Sequence, residues 1–272
     1  MTYLVRVGSD RLCIQGYHAL VDETMDASDQ DKYPLHTASR KSEQAQVESL
    51  ISADPKLVLK VDEDGRLPLH WACTQTNREI VEDLVTATPK SKLDSIIDAQ
   101  DASGWTPLMI ASSLKENAGL PVIEMLLRRD AEVKVQSNNG GTALHFATSK
   151  NNLDVVRKLL DAGASARVKD KRGQLALHRA AAVGNTPITR LLLGQGKSPV
   201  NATDMDGMTA LHQAISEGHG DVALELLKAG ADSTKKDADE RVPLDCAPDK
   251  NVRMFILRRA EMEGIDLEEG QS

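Results

Sequence analysis

One pattern of apolar and polar positions returns seven times along the chain. Each copy is six residues long, with leucine third, usually histidine fourth and alanine sixth; the copies are YPLHTA, LPLHWA, TPLMIA, TALHFA, LALHRA, TALHQA and VPLDCA. The leucines are Leu35, Leu69, Leu108, Leu144, Leu177, Leu211 and Leu244, at spacings of 34, 39, 36, 33, 34 and 33 residues. A period in the low thirties is typical of stacked repeat units. The pattern therefore predicts an all-α solenoid of seven repeats.

Each repeat combines turn residues with two helical stretches, as the fourth copy illustrates. Residues 137–141 are a turn sequence, Thr142 is a candidate N-cap, and a short helix is predicted over 143–148. A second helix over 153–160 carries apolar residues at i, i+3 and i+4, and Gly163 is placed to end it. The unit is therefore helix–turn–helix–turn, and the extra residues of the second and third units are expected in loops.

The seven units divide the chain into three parts. We expect the repeats to fill 31–263, at about 31–61, 62–100, 101–136, 137–169, 170–203, 204–236 and 237–263. Residues 1–30 do not follow the pattern and are expected to be flexible or loosely packed, and residues 264–272 form an acidic tail. The last unit is expected to be a cap, because terminal repeats need a polar outer face.

Composition and charge favour a soluble, intracellular protein. The formal net charge of −8 argues against a nucleic-acid or anionic-membrane binder. No run of 18 apolar residues or signal-peptide pattern is present, so neither a membrane span nor secretion is expected. The three cysteines, Cys13, Cys73 and Cys246, have no CxxC spacing and fit a reducing compartment.

Catalytic and metal-site patterns are weak. The histidines His36, His70, His145, His178 and His212 recur about once per repeat, so they lie on successive units, and we expect them to hydrogen bond between repeat loops. There is no GxSxG, Walker loop, GxGxxG, HExxH or paired CxxC. We therefore expect a protein that is not an enzyme, with no catalytic residue, metal or cofactor.

The repeats resemble a known family. The pattern D-x-x-G-x-T-P-L-H-x-A over about residues 31–260 is similar to that of ankyrin repeats. The stretches 64–72, 103–108, 177–185 and 217–221 further resemble the gankyrin-type ankyrin chaperones of proteasome assembly and their fungal counterparts.

This resemblance implies a fold and a function. The fold is a stack of seven repeats with β-hairpin-like finger loops. The function is a monomeric, cytoplasmic and nuclear chaperone that grips the C-terminal domain of one ATPase subunit of the proteasome regulatory particle and blocks premature docking onto the core particle. The Leu-x-Cys-x-Glu motif of the animal protein is absent here, so partners of the retinoblastoma type are not implied.

The resemblance also implies that finger loops and first helices line a concave binding face. Positions there that should not face the core are the predicted contacts: Arg40, Lys41, Glu63, Asp64, Arg66, Trp71, Trp105, Leu114, Phe146, Lys150, Lys171, Arg172, Arg179, Met205, Asp206, Met208, Glu217, Asp239 and Arg241, with Gln75, Ser103, Asn138 and Asn139 at comparable positions. Tryptophan and arginine are frequent interface hot spots. Separated charges, basic in the fifth unit and acidic at Asp206, Glu217 and Asp239, should steer a partner.

Two alternatives remain open. Trp71 could pack over neighbouring helices, with Lys171 and Arg172 serving only to solvate a finger loop. The protein could also be a regulatory adaptor, inhibiting a kinase or presenting substrates to a ubiquitin ligase.

Overall fold

The computed structural model describes residues 32–265 and 267, and within them it shows a stack of seven helical units. The helices of the first three units are α1 Pro34–Arg40, α2 Gln44–Ala53, α3 Pro68–Thr74, α4 Arg78–Ala87, α5 Leu93–Ile97, α6 Pro107–Ser112 and α7 Leu120–Arg128. Those of the last four are α8 Ala143–Ser149, α9 Leu153–Asp161, α10 Ala176–Val183, α11 Thr186–Gly194, α12 Ala210–Ser216, α13 Gly220–Lys228 and α14 Lys250–Met262. Short 3₁₀ helices occupy Pro55–Leu59, Lys90–Lys92 and Pro243–Cys246.

The predicted all-α solenoid is confirmed. No strand forms in the described residues, where an isolated antiparallel bridge joins Thr203 to Thr209. The inner helices, which carry the six-residue pattern, pack side by side, and the outer helices cover them from behind. All seven pattern leucines are at most 3% exposed, so the feature that sets the period also builds the core. Burying each one contributes about 1.5–3 kcal/mol.

The extra residues lie in connections, as expected. Those of the second unit form the 3₁₀ turn Lys90–Lys92 and helix α5, after the outer helix α4. Those of the third unit lie between α6 and α7. The inner helices can therefore stack without interruption.

The finger loops are tight hairpins built around an aspartate. In the fifth unit the Asp170 N–H donates to the Gln174 carbonyl at 2.9 Å. The Asp170 Oδ1 accepts from the N–H groups of Arg172 and Gln174, both at 2.9 Å. The same two side-chain bonds form at Asp62, Asp101, Asp204 and Asp237. Each such aspartate therefore fixes the shape of its own hairpin.

Neighbouring hairpins are joined by backbone hydrogen bonds. The N–H of Lys171 donates to the Asn139 carbonyl at 2.9 Å, and the N–H of Met205 donates to the Arg172 carbonyl at 2.9 Å. Equivalent bonds link the other adjacent hairpins, giving a ladder along one edge of the stack. The expected β-hairpin-like fingers are present, with these ladder bonds in place of continuous strands.

Glycine permits this close approach. A Cβ on Gly140 would stand 2.8 Å from the Lys171 nitrogen, and one on Gly207 would stand 2.9 Å from the Ala238 nitrogen. Both glycines also have a positive φ. In the last hairpin Glu240 takes the equivalent position at φ 61°, where no further hairpin follows in the described part of the chain.

At the C-terminal end of the described residues, helix α14 closes the stack. The prediction for residues 1–30 lies outside the described residues, as do Asp266 and 268–272 of the predicted tail. Helix α14 buries Ile256 and Ala260 but leaves Met254 and Met262 exposed. Val252 and Leu257 also pack, partly buried, against the core. The expected polar outer face is therefore only partly present, since exposed methionines lie beside the exposed Arg258 and Arg259.

Candidate protein-binding surface

Four histidines lock the inner helices to the next hairpin. The His145 Nδ1 accepts from the Thr142 N–H at 3.2 Å, so Nε2 carries the proton and donates to the Gln174 carbonyl at 3.1 Å. His70, His178 and His212 make the same pair of bonds. The predicted hydrogen bonding between repeats is confirmed, and these side chains belong to the scaffold.

Burial keeps these histidines neutral. It lowers the pKa of His70, His178 and His212, and it lowers the pKa of His145 to about 4, with the positive charge of Arg179 adding to the effect. A proton on Nδ1 of His145 would point at the Thr142 N–H, which is itself a donor, so the hydrogen bond between them would be lost.

Two units depart from this arrangement. The third unit has Met109 in place of histidine, and its N–H is capped by the Thr106 hydroxyl at 3.3 Å. In the first unit His36 bonds through Nε2 to the Arg66 carbonyl at 3.0 Å, while its buried Nδ1 has no hydrogen-bond partner in the described part of the chain.

The expectation that Trp71 lies free of the core is wrong. Its side chain is 2% exposed, and its indole Nε1–H donates to the Asp62 Oδ2 at 2.7 Å. The guanidinium carbon of Arg66 lies 4.9 Å from the ring centroid, and that of Arg40 lies 5.8 Å away. The structure therefore agrees with the alternative interpretation, in which Trp71 packs over neighbouring helices.

Trp105 and Leu114 are likewise buried, each 7% exposed, so their expected exposure is corrected too. Trp105 stacks on the half-buried Phe146, with centroids 4.0 Å apart and rings inclined by 29°. This pair joins the third unit to the fourth, where the histidine bridge is missing. The Leu114 carbonyl accepts from the Asn152 amide of the next unit, which holds the third unit's longer loop inward.

Two predicted arginines are engaged inside the protein. Arg66 is buried, with its Nε 3.2 Å from the Asp101 Oδ2. Arg179 is half-buried, with its Nη2 2.7 Å from the Asp170 Oδ2. Burial alone would raise the pKa of Asp170, but hydrogen bonds from Arg179 and the Gln174 N–H hold it below its usual value. Both arginines brace hairpins, in contrast to the free contacts that the sequence suggested.

The remaining predicted residues are accessible on hairpin tips and inner-helix ends. Exposed ones are Lys41, Glu63, Asp64, Lys171, Met205, Asp206, Glu217, Asp239 and Arg241, together with Gln75, Ser103, Asn138 and Asn139. Half-buried ones are Arg40, Lys150, Arg172 and Met208. Met205 is 75% exposed, unusual for a large apolar side chain on a tip.

Charge is unevenly distributed along this surface. The hairpin of the second unit carries Glu63, which pairs with Lys32, and the hairpin of the last unit carries Asp239, which pairs with Arg241 at 3.0 Å. In the middle, burial lowers the pKa of Lys150, with the positive charge of Lys115 adding to the effect, and Lys171 is exposed on the next hairpin. Such a surface suits a protein partner with acidic groups opposite the middle of the stack.

Sequence reasoning missed Val183, an apolar residue that is 39% exposed at the end of α10. It stands four residues after the variable fifth position of the pattern, as Lys41, Gln75, Lys150 and Glu217 do. Applying that register to the fifth unit would have found it.

Other kinds of site are not visible in residues 32–265 and 267. No group of three or more histidine, cysteine or acidic side chains is arranged to hold a metal ion there. None of the helices in that part is long and apolar enough for a bilayer crossing.

Comparison with known proteins agrees with this geometry. The family model described as ankyrin repeats (3 copies) matches residues 11–95, 91–170 and 158–237. The first match begins within the segment that lies outside the repeated pattern. Among solved structures, the crystal structure of the ankyrin repeat domain of Bcl-3 is similar, with a TM-score of 0.66, 28% identity, and coverage of 83% of this chain and 97% of that one.

Two fungal proteins are similar in sequence. The chain is 40% identical over 228 residues, covering 83% of this chain and 97% of the relative, to the Saccharomyces cerevisiae protein named probable 26S proteasome regulatory subunit p28. It is 37% identical over 170 residues, covering 62% of this chain and 73% of the relative, to the Schizosaccharomyces pombe ankyrin repeat-containing protein C6C3.08. The chain therefore belongs to the ankyrin-repeat family, and most of its length is related to a yeast protein named as a probable 26S proteasome regulatory subunit.

Proposed function

We propose that this protein is a non-catalytic chaperone for assembly of the proteasome regulatory particle. Its partner is the C-terminal domain of a regulatory-particle ATPase subunit, bound on the concave face. The observation that carries the proposal is the 40% identity to the yeast p28 subunit, which extends over 97% of that protein. Proteins of this family are typically interaction modules, and we infer that this one works by binding alone.

The hairpin ladder supports this function. Because backbone bonds join adjacent hairpins, the tips form one row in fixed register, from Glu63 in the second unit to Asp239 in the last. A partner lying along the row would meet acidic, then basic, then acidic side chains. Charge order of this kind fixes the register of a complex and speeds association.

Exposed apolar groups support it further. Met205 lies beside the basic tip of the fifth unit, since its N–H donates to the Arg172 carbonyl, and Val183 is exposed at the end of α10. Burying these apolar side chains against a partner would add favourable desolvation energy to the charge interactions. Buried apolar area contributes about 25 cal/mol per Å². The net charge of −8 fits a protein partner better than a nucleic acid. We infer that the chain acts as a monomer in the cytoplasm and the nucleus, where proteasomes assemble.

Co-purification tests the proposal. Tagged full-length protein is expected to recover regulatory ATPase subunits without mature core particle. A variant with Lys171→Glu and Met205→Glu should lose them, whereas Arg157→Glu, an exposed residue of the outer helix α9, should not. Recovery of a kinase or a cullin in place of ATPase subunits would contradict the proposal and favour the adaptor alternative.

A further inference from the structure

Two guanidinium groups flank the indole ring of Trp71. Arg66 extends from the hairpin of the second unit, and its guanidinium carbon lies 4.9 Å from the ring centroid. Arg40 extends from the last turn of α1, and its guanidinium carbon lies 5.8 Å from the same centroid. Stacking on an aromatic face orients a guanidinium and limits its motion. Both cations are therefore held against the same ring.

The acidic groups around this ring are already engaged. Asp101 binds the Arg66 Nε at 3.2 Å, and Asp64 lies 3.8 Å from the Arg66 Nη1. Asp62 uses one carboxylate oxygen for two backbone N–H groups of its hairpin and the other for the Trp71 indole. Arg66 is thus compensated by carboxylates.

Arg40 is not compensated in the same way. Within residues 32–265 and 267 it makes no ion pair, and its buried Nε has no hydrogen-bond partner. A half-buried charge with an unmet donor is less favourable than one paired with an acceptor. The planar fork of an arginine matches the two oxygens of a carboxylate.

We propose that Arg40, held against Trp71, is a carboxylate-binding subsite at the first-unit end of the concave face. It receives an aspartate or glutamate side chain of the bound protein. A phosphate-rich polyanion fits less well than a single carboxylate, because its many charges would also be repelled by Glu63 and Asp64 on the adjoining hairpin and by the net charge of −8. This inference rests on the proposed function, because the bound ATPase domain supplies the carboxylate.

Titration of the full-length protein with the purified C-terminal domain of the regulatory ATPase tests the subsite. Arg40→Gln should raise the Kd about tenfold or more, because a charge-assisted pair is lost. Arg40→Lys, which keeps the charge without the fork, should fall between. Arg157→Gln, the same chemical change on an outer helix, should stay within about twofold. Equal effects of Arg40→Gln and Arg157→Gln would overturn the inference.

A second readout uses the unmutated protein, so a folding defect cannot obscure the result. The Nε–H resonance of Arg40, assigned by its loss in Arg40→Lys, should move on saturation with the ATPase domain. An unmoved signal in the complex would overturn the subsite while leaving the proposed function intact.

Failure of the unmutated protein to bind the ATPase domain would instead contradict the proposed function. The subsite is then tested with the peptide acetyl-Glu-Glu-Glu-amide and the same resonance. A shift of the Arg40 resonance on addition of the peptide supports the subsite, and no shift overturns it.

Discussion

The second and fifth units differ in where they place their unusual residues. In the second unit the bulky Trp71 lies under its own hairpin and bonds to Asp62, nine residues earlier. In the fifth unit Arg179 takes the same position and bonds to Asp170, also nine residues earlier. The tip residues Lys171 and Met205, on the fifth and sixth hairpins, lie outside these contacts and remain exposed. A departure from the repeated pattern therefore indicates a partner contact only when its position in the unit faces outward.

The largest effect should come from the buried position. Trp71→Ala is expected to reduce the free energy of unfolding by about 3–5 kcal/mol, because it leaves a cavity and an unpaired Asp62 oxygen. Urea denaturation followed by circular dichroism measures it. Trp71→Phe should lose less, since the ring volume is largely retained. A loss below about 1 kcal/mol for Trp71→Ala would mean that the side chain has little part in the fold.

The next-largest effect should come from acid, which weakens the hydrogen bonds that the histidines make between units. The folded-state pKa of His145 is lowered to about 4, below its unfolded value, so the unfolded chain binds more protons in that interval. Stability is therefore fully present above about pH 6.5 and is lost as pH falls towards 4. Thermal melting across this range should show the decline. His145→Gln should make the decline shallower, with the remainder due to His70, His178 and His212, whose pKa values are also lowered. A melting temperature independent of pH would contradict the histidine hydrogen bonds.

A smaller effect should appear where the third unit lacks a histidine. A double-mutant cycle of Trp105→Leu and Phe146→Leu is expected to give a coupling energy of about 0.5–1.5 kcal/mol, because the two rings stack. Unfolding free energies of the four proteins supply it. Additive single effects would show that the stack does not replace the missing bridge.

The tip residues should matter least for stability. Lys171→Glu and Met205→Ser, each alone, should change the free energy of unfolding by less than about 0.5 kcal/mol, since both side chains are exposed. The same urea titrations provide the comparison with Trp71→Ala. A change above about 1 kcal/mol would show that the tips also support the fold.

Much of the fold could be predicted from the repeated leucines, because a residue that recurs at one point of every unit must meet the same neighbours each time. The histidine bridges followed from the same logic. The burial of Trp71, Trp105 and Arg66 could not be predicted, because it depends on whether a long side chain reaches a hairpin carboxylate or a neighbouring ring. The variable position itself holds residues as different as Thr37 and Gln213, so its pattern carries no such information.

The division between scaffold and contact residues also changes which arginines should control binding. Arg179 is paired with Asp170, so replacing it would disturb a hairpin as well as a surface. Lys171, exposed at the tip of the same hairpin, separates the two effects better.

Surface plasmon resonance with the C-terminal domain of a regulatory ATPase subunit tests the central claim most directly. Lys171→Glu combined with Arg172→Glu should slow association several-fold at low salt, because steering by the basic tip is lost, while the melting temperature stays within a few degrees of the unmutated protein. An association rate at low salt equal to that of the unmutated protein would contradict the account.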